Sequence, residues 1–406
     1  MDGSASMNQQ ASHQLYDLFS ALRRWPDIEA ENLFAVDAAD RLVFDILSQH
    51  HTEQQATGTH DATPPLTQSL AVVGDHYGAL SLGALALGAP KVRVYTDGLT
   101  ARRAIEANLL SCAEFLPADA ATRIEFVALD RVAEGCSTCL MVLPRGLNVL
   151  TEQAAALAAA GPENMTVFAT GRIKHMNHTM NHVLSRFFSQ VQVSLARQKS
   201  RVLIASFPTR QVELPDYPVR ETHQVAGMTM TLVAGAQTFG EARLDPGTRV
   251  LLEHLPALDD HDRLIDLACG NGSIGIFAAL RNPQLRIVAS DHSASAVAST
   301  LLGAQANAVA ERINAVQDDG LSRLADASAR LITLNPPFHV GNTVSAQIAF
   351  KLIDEAARVL EDGGQLYCVF NSHLKYRSEL ARRVGPTEQL ARNAKFTVTR
   401  STRRRF

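Results

Sequence analysis

The sequence predicts an α/β protein of two tandem Rossmann-like domains, each a doubly wound and mostly parallel sheet, the N-terminal one a degenerate copy of the other. Three observations carry this. A glycine-rich turn, Asp266-Leu267-Ala268-Cys269-Gly270-Asn271-Gly272, sits between an apolar run of strand length and an apolar run of helix length. A tetrad, Asn335-Pro336-Pro337-Phe338, follows about seventy residues later. The first half then repeats the layout of the second at nearly the same spacing. A chain of 406 residues has ample material for two cores.

In chain order, residues 1–14 and 52–65 are polar and read as a flexible terminus and a surface insertion. Leu70-Ala71-Val72-Val73-Gly74 is a strand entering the turn Asp75-His76-Tyr77-Gly78, and Val92-Arg93-Val94-Tyr95-Thr96-Asp97 is a strand ending in an acid. A helical stretch to Asn108, a strand over 124–129 and the run Cys139-Leu140-Met141-Val142-Leu143-Pro144-Arg145-Gly146 follow, the last in the place of the tetrad but with one proline. His76 and Tyr77 crowd the turn where glycines should stand, and Arg145 follows the lone proline, so this copy suits neither cofactor nor target, and Asp97 reads as structural. The proline-bearing stretch Leu214-Pro215-Asp216-Tyr217-Pro218 divides the chain into 1–215 and 216–406.

In the second half, Leu264-Ile265-Asp266-Leu267 is a strand, and Ser273-Ile274-Gly275-Ile276-Phe277-Ala278-Ala279-Leu280 is a helix packed on it. Gly270 and Gly272 let the backbone approach a ligand, and Gly275 permits close helix-to-sheet contact. Leu285 to Asp291 is a second strand ending in an acid placed to accept from ribose hydroxyls. Val316-Gln317-Asp318-Asp319-Gly320 ends a third strand, where either acid can reach an adenine edge or cap a helix. Arg330 to Leu334 is a fourth, which puts Asn335 in the crevice where open α/β sheets bind ligands.

A glycine pattern of this kind also serves dinucleotide dehydrogenases. Two features favour S-adenosylmethionine instead. Asp266 stands where a carboxylate can face the cationic methionyl end of that donor but would oppose a pyrophosphate. The tetrad has no use in a dehydrogenase. An aromatic exocyclic amine is a poor nucleophile because its lone pair is delocalised, so catalysis must orient the nitrogen and offset its developing positive charge. The Asn335 amide oxygen and the Pro336 carbonyl are neutral acceptors suited to its N–H groups, Pro337 stiffens the loop, and Phe338 can stack on the base. A stacked base must flip out to reach them. The bland alternative is a plain Asn-Pro-Pro turn. His339 can accept a proton, but a methylated amine loses its own to solvent and no catalytic base is required.

Composition narrows the class. Apolar residues make up 46% and charged ones 19%, as in soluble globular proteins. No secretory signal opens the chain and no apolar run approaches the roughly twenty residues of a membrane span, so a cytoplasmic location is expected. Five scattered cysteines make no disulfide framework; Cys136-Ser137-Thr138-Cys139 lacks a second pair, and His175, His178 and His182 lack a carboxylate or thiol nearby, so no metal is expected. The net charge of −3 hides two basic tracts: residues 172–201 hold six Lys or Arg and no acid, and 371–406 hold ten against two. Arg172, Lys174, Arg186 and Arg197 in the first, with Arg382, Arg383, Arg403 and Arg404 in the second, read as a phosphate footprint for RNA; the alternative is solvated surface.

Taken together, the chain resembles the tandem-domain guanine-N2 ribosomal RNA methyltransferases, in which a degenerate methyltransferase-like half precedes an active one of the class I fold. The likeness spans nearly the whole chain, and its ending, Asn393-Ala394-Lys395-Phe396-Thr397-Val398 with terminal arginines, is more similar to large-subunit members than to small-subunit ones. Thr238-Phe239 with the run from Leu244-Asp245-Pro246 to Leu252 resembles the lead-in of the active half. The resemblance implies that Asp291 binds ribose, Asp319 lies beside adenine, and Asn335 with Phe338 holds guanine, in a protein acting as a monomer. Two departures stand out: Gly240 and Glu241 replace the family's Ser-Arg after Phe239, and Ala268-Cys269-Gly270 replaces Gly-Cys-Gly. Asparagine or glutamine N-methyltransferases of translation factors share the tetrad with Tyr, and a non-enzymatic RNA-binding relative is the remaining alternative; Phe338 and the basic tracts speak against the former.

Overall fold

The computed structural model describes residues 13–56, 66–210, 216–258, 263–337 and 343–404. The chain divides into two compact units, Met1–Pro215 and Asp216–Phe406.

The sheet of the first unit is built from β1 (Leu70–Val73), β2 (Val92–Tyr95), β3 (Ile124–Phe126), β4 (Thr138–Val142), β5 (Thr166–Arg172), β6 (Phe188–Val193) and β7 (Ser200–Pro208). The second unit opens with a hairpin of β8 (Val219–Val225) and β9 (Met228–Ala234). Its main sheet holds β10 (Arg263–Leu267), β11 (Arg286–Asp291), β12 (Ile313–Gln317), β13 (Ala329–Leu334), β14 (Leu360–Asn371), β15 (Thr387–Arg392) and β16 (Phe396–Thr402). The strand orders, β3-β2-β1-β4-β5-β7-β6 and β12-β11-β10-β13-β14-β16-β15, are the same arrangement twice. In each, the first five strands run parallel and the last two pair antiparallel. The order reverses between β1 and β4, and again between β10 and β13, and such a switch point opens a crevice at the carboxyl ends of the strands.

Parallel strands are covered on both faces, so their sequences are apolar without alternation. β1 is wholly buried, and separate apolar clusters fill the two sides of each sheet. The helix Ser273–Arg281 is buried from Ser273 to Ala279; full burial of Phe277 alone contributes about 1.5–3 kcal/mol. Gly275 makes that contact possible, because a Cβ there would stand 3.0 Å from Ile287 Cγ2.

Several boundaries differ from expectation. The strand expected over 124–129 stops at Phe126 and gives way to a 3-10 turn at Leu129–Arg131, because β2, its only neighbour among the described residues, itself ends at Tyr95. Asp97 therefore lies two residues beyond β2 rather than at its end. The helix Ala38–Ala56 runs into the stretch expected to be an insertion from 52 onwards. Residues 1–12, 57–65 and 211–215, which hold most of the expected terminus, the rest of that insertion and part of the linker, lie outside the described residues. No helix among the described residues is long and apolar enough to cross a membrane.

Candidate active site

The glycine turn leaves β10 through three left-handed residues, Ala268 (φ 57°), Gly270 (φ 56°) and Gly272 (φ 76°). Gly272 caps the helix in this conformation, and a Cβ on it would stand 2.8 Å from Thr300. A Cβ on Gly270 would meet nothing within 4 Å, so space above the turn is open for a ligand. Ala268 carries the side chain that a left-handed residue disfavours, a strain of roughly 1–2 kcal/mol.

Three residues expected at the cofactor support the turn from behind instead. Asp266 is wholly buried; its Oδ2 accepts from Gly275 N at 2.9 Å and its Oδ1 from Thr333 Oγ1 at 3.3 Å. Both its oxygens are engaged within the protein, where the sequence expected them to face the methionyl group, and burial pushes the carboxyl up to about 7. The Cys269 thiol points to Thr300 Oγ1 at 3.4 Å, with burial holding it protonated. Asn271 donates through Nδ2 to the carbonyls of Glu241 and Arg243, both at 2.9 Å, strapping the lead-in segment to the turn.

Ala268, Gly270, Asp291, Asp319 and Asn335 keep accessible surface. Asp291 accepts from Gly270 N and Ser293 N, both at 2.9 Å, which aims its carboxylate at the turn while each oxygen retains a lone pair. Asp318 is the buried acid of its pair, accepting from Ser322 Oγ at 2.5 Å and from the backbone N–H groups of Asp319 and Arg323. Asp319 is the accessible one, and Lys351 Nζ lies 2.7 Å from both its oxygens.

Asn335 steps off β13 beside the turn, since β13 pairs with β10 from Ile265↔Ile332 to Leu267↔Leu334. Its Nδ2 donates to Asp245 Oδ2 at 3.0 Å and to Thr248 Oγ1 at 2.8 Å, while its Oδ1 is buried with no partner among the described residues. Pro336 is buried and Pro337 exposed. Phe338 and His339 lie outside the described residues. Asp245, Thr248 and Lys351 were missed as site residues. Asp-Pro before an amphipathic run is a helix-start signature that points to Asp245, which caps the helix Pro246–His254 by accepting from Thr248 N at 2.8 Å; for Lys351 the sequence carries no signal.

The first unit has the same crevice, stitched shut. Tyr77 donates to Asp27 Oδ2 at 2.6 Å, Arg24 pairs with that oxygen at 3.0 Å and lies over the Tyr77 ring, and Asn108 donates to the carbonyls of both Tyr77 and Arg23. Asp75 turns inward to accept from Gly78 N, Ser81 N and Ser81 Oγ. β4 runs out through Val142 into Leu143-Pro144-Arg145, with no amide at the Asn335 position.

Several expected phosphate contacts are committed within the protein. Arg383 pairs with Glu379 and Asp354 and lies over Phe350, and Arg403 donates to the carbonyls of Arg383 and Val384. Both guanidinium groups are thus partly engaged within the protein, Arg383 by the half-buried Glu379 and the exposed Asp354. Arg382 pairs with Glu379 but stays exposed, and Arg404 is exposed. Arg172 and Arg197 stand 3.8 Å from Asp37 and Asp45. Lys174 and Arg186 are exposed. The His175 imidazole is held below its ordinary range, first by desolvation and then by the nearby charges of Arg145, Lys174 and Arg172. Burial raises the Cys136 thiol to about 11 and Cys139 further, so neither is a thiolate at neutral pH.

Two copies of this sheet order, one with an open glycine turn beside an amide whose oxygen has no partner among the described residues, define a tandem class I methyltransferase fold. The model of the methyltransferase small domain matches residues 229–400, and that of the RLMG N-terminal domain matches 10–210. The chain is 33% identical over 380 residues to the ribosomal RNA large subunit methyltransferase G of Pseudomonas fluorescens, covering 94% of this chain and 96% of that one. It is 32% identical over 387 residues to the protein of that name from Streptomyces coelicolor, covering 94% and 97%. The T. thermophilus 16S rRNA N2 methyltransferase RsmC, solved with AdoMet and guanosine, shares the fold with a TM-score of 0.73 at 20% identity, covering 96% of this chain and 99% of that one. The chain belongs to the ribosomal RNA large subunit methyltransferase G family.

Proposed function

We propose that the second unit is an S-adenosylmethionine-dependent methyltransferase acting, in the cytoplasm, on the exocyclic N2 amine of a guanine in large-subunit ribosomal RNA, and that the first unit binds RNA and no donor. The carrying observation is the buried, unpartnered Asn335 Oδ1 at the carboxyl end of β13, beside the open turn after β10. An orphaned buried acceptor costs about 1–3 kcal/mol unless something donates to it. An amine N–H does so. The names of the relatives support ribosomal RNA as the target, and the AdoMet and guanosine bound to RsmC support the donor and the base.

The residues present fit that donor: Gly270 leaves room above the turn, Asp291 offers carboxylate oxygens to ribose hydroxyls, and Asp319, two residues beyond β12, is placed for the adenine edge. When bound, S-adenosylmethionine supplies a methyl group activated on a sulfonium. Asn335 then orients the amine by accepting its N–H and offsets positive charge as the nitrogen attacks in line. Pro336 and Pro337 hold the backbone there, and Phe338 stacks on the base. The nitrogen gives up its proton to solvent after transfer.

Labelled donor incubated with the protein and either deproteinised RNA or intact subunits tests this. Label is expected in N2-methylguanine of large-subunit RNA; label in protein, or in small-subunit RNA alone, overturns it. Asn335→Ala should cut turnover by about a hundredfold or more with donor affinity nearly intact. A wild-type rate in that variant would make the tetrad a mere turn.

A further inference from the structure

We propose that Asp245 and Thr248 are positioning residues for methyl transfer: they lock the Asn335 amide so that only its oxygen faces the target. The inference rests on the proposed role of Asn335. An amide nitrogen has two hydrogens, and both are spent, one on Asp245 Oδ2 at 3.0 Å and one on Thr248 Oγ1 at 2.8 Å. A carboxylate accepts only. Rotating the amide by half a turn would set Oδ1 against that carboxylate oxygen, which cannot donate, so Asp245 decides the assignment of nitrogen and oxygen while the Thr248 hydroxyl could serve either. What remains is Oδ1, buried and without a partner among the described residues.

The clamp is built into a helix start. Asp245 Oδ2 also accepts from Thr248 N at 2.8 Å, which fixes the carboxylate, and Gly247 leaves room for it, since a Cβ there would stand 3.1 Å from Asp245 Oδ2 and 3.0 Å from the Phe396 ring. The first unit keeps a capping acid in the equivalent place: Asp37 accepts from Ala39 N and Asp40 N, but Arg172 stands 3.8 Å from it, with no amide between. An acid needed only as a cap would look alike in both units.

Two consequences follow for the reaction. The recognition atom is an obligate acceptor, so the site takes a group bearing N–H and rejects a ring carbonyl or an unprotonated ring nitrogen at that point. The Asp245 charge polarises the amide through the hydrogen bond and makes Oδ1 a stronger acceptor as the attacking nitrogen becomes positive.

The test uses the full-length protein, an unmodified ribosomal RNA transcript, single-turnover rates and donor binding by calorimetry. Asp245→Asn keeps a competent cap but removes the charge and the acceptor-only restriction. It should lower the transfer rate tenfold or more with donor affinity unchanged. Thr248→Val should lower the rate several-fold, and Thr248→Ser should restore most of it. In an Asn335→Ala background, Asp245→Asn should add no further loss. A wild-type rate for Asp245→Asn, alongside a crippled Asn335→Ala, overturns the clamp and leaves the proposed function standing. Equal loss from Asp245→Asn in both backgrounds overturns it too, because the residue would then act through the fold. Should Asp245→Asn fail to fold, equal rates for the Val and Ser variants at 248 overturn it. A wild-type rate for Asn335→Ala sinks the reading of the tetrad itself.

Discussion

The crevices of the two units stand on the same strand order and differ in what their charged groups face. In the second unit Asp291 aims at an open turn and Asp245 accepts from the Asn335 amide. In the first, Asp75 folds inward on Ser81 and Gly78, Asp27 ties Tyr77 down, and Asp37 faces Arg172. β1 pairs with β2 at Val73↔Tyr95, and β10 with β11 at Leu267↔Ser290, so the next residue is Thr96 in one unit and Asp291 in the other. The acid at 97 comes one step too late. The two sheets thus match while their strand ends differ, because the core sets the fold and a few polar partners at the strand ends set what faces the crevice.

The comparison is broken most forcefully at Asp75. Asp75→Ala leaves three buried donors without an acceptor and should destabilise the first unit by about 3–5 kcal/mol, read by denaturant unfolding, with donor affinity unchanged. A weakened donor would mean that the first turn also works as a site.

Asp266 gives the next largest effect. Its folded pKa of about 7 exceeds the unfolded value, so its contribution is full below about pH 4, declines as pH rises, and is gone above about 7, a change of up to about 4 kcal/mol. Hydrogen-exchange protection in β10 should fall over that window, and Asp266→Asn should flatten the fall.

Asp291→Ala should weaken donor binding by about 1.5–3 kcal/mol in calorimetry. Unchanged affinity in a folded variant would remove Asp291 as the ribose ligand. For the first unit, changing Arg145, Lys174 and Arg186 together to Glu should raise the RNA dissociation constant and flatten its salt dependence by up to about three phosphate contacts, leaving donor binding alone. A normal salt slope would take these three cations out of the footprint. The smallest effect belongs to Ala268→Gly, which relieves a left-handed alanine at φ 57° and should stabilise the second unit by about 1 kcal/mol or less, seen as a small rise in Tm.

Much of this was legible along the chain because it is local. A strand-length apolar run, left-handed glycines and a buried helix announce a turn within ten or so consecutive residues, and the break from β13 into Asn335-Pro336 is equally local. The repeat was legible because both halves must fill the same two-sided sheet with the same apolar rhythm.

The unforeseen features all join distant parts of the chain. Asp266 looked like a ligand and is buried under Gly275 and Thr333. Arg383 and Arg403 looked like phosphate contacts and are held by carboxylates or backbone carbonyls. Asn335 was readable as an acceptor, but the direction of its oxygen depends on Asp245, far upstream, just as the closing of the first crevice depends on Asp27 reaching Tyr77. Backbone propensity and apolar periodicity are written in neighbouring residues. The partner and the burial of a charge are set by distances across the folded chain, and those decide which acid supports the protein and which one meets a ligand.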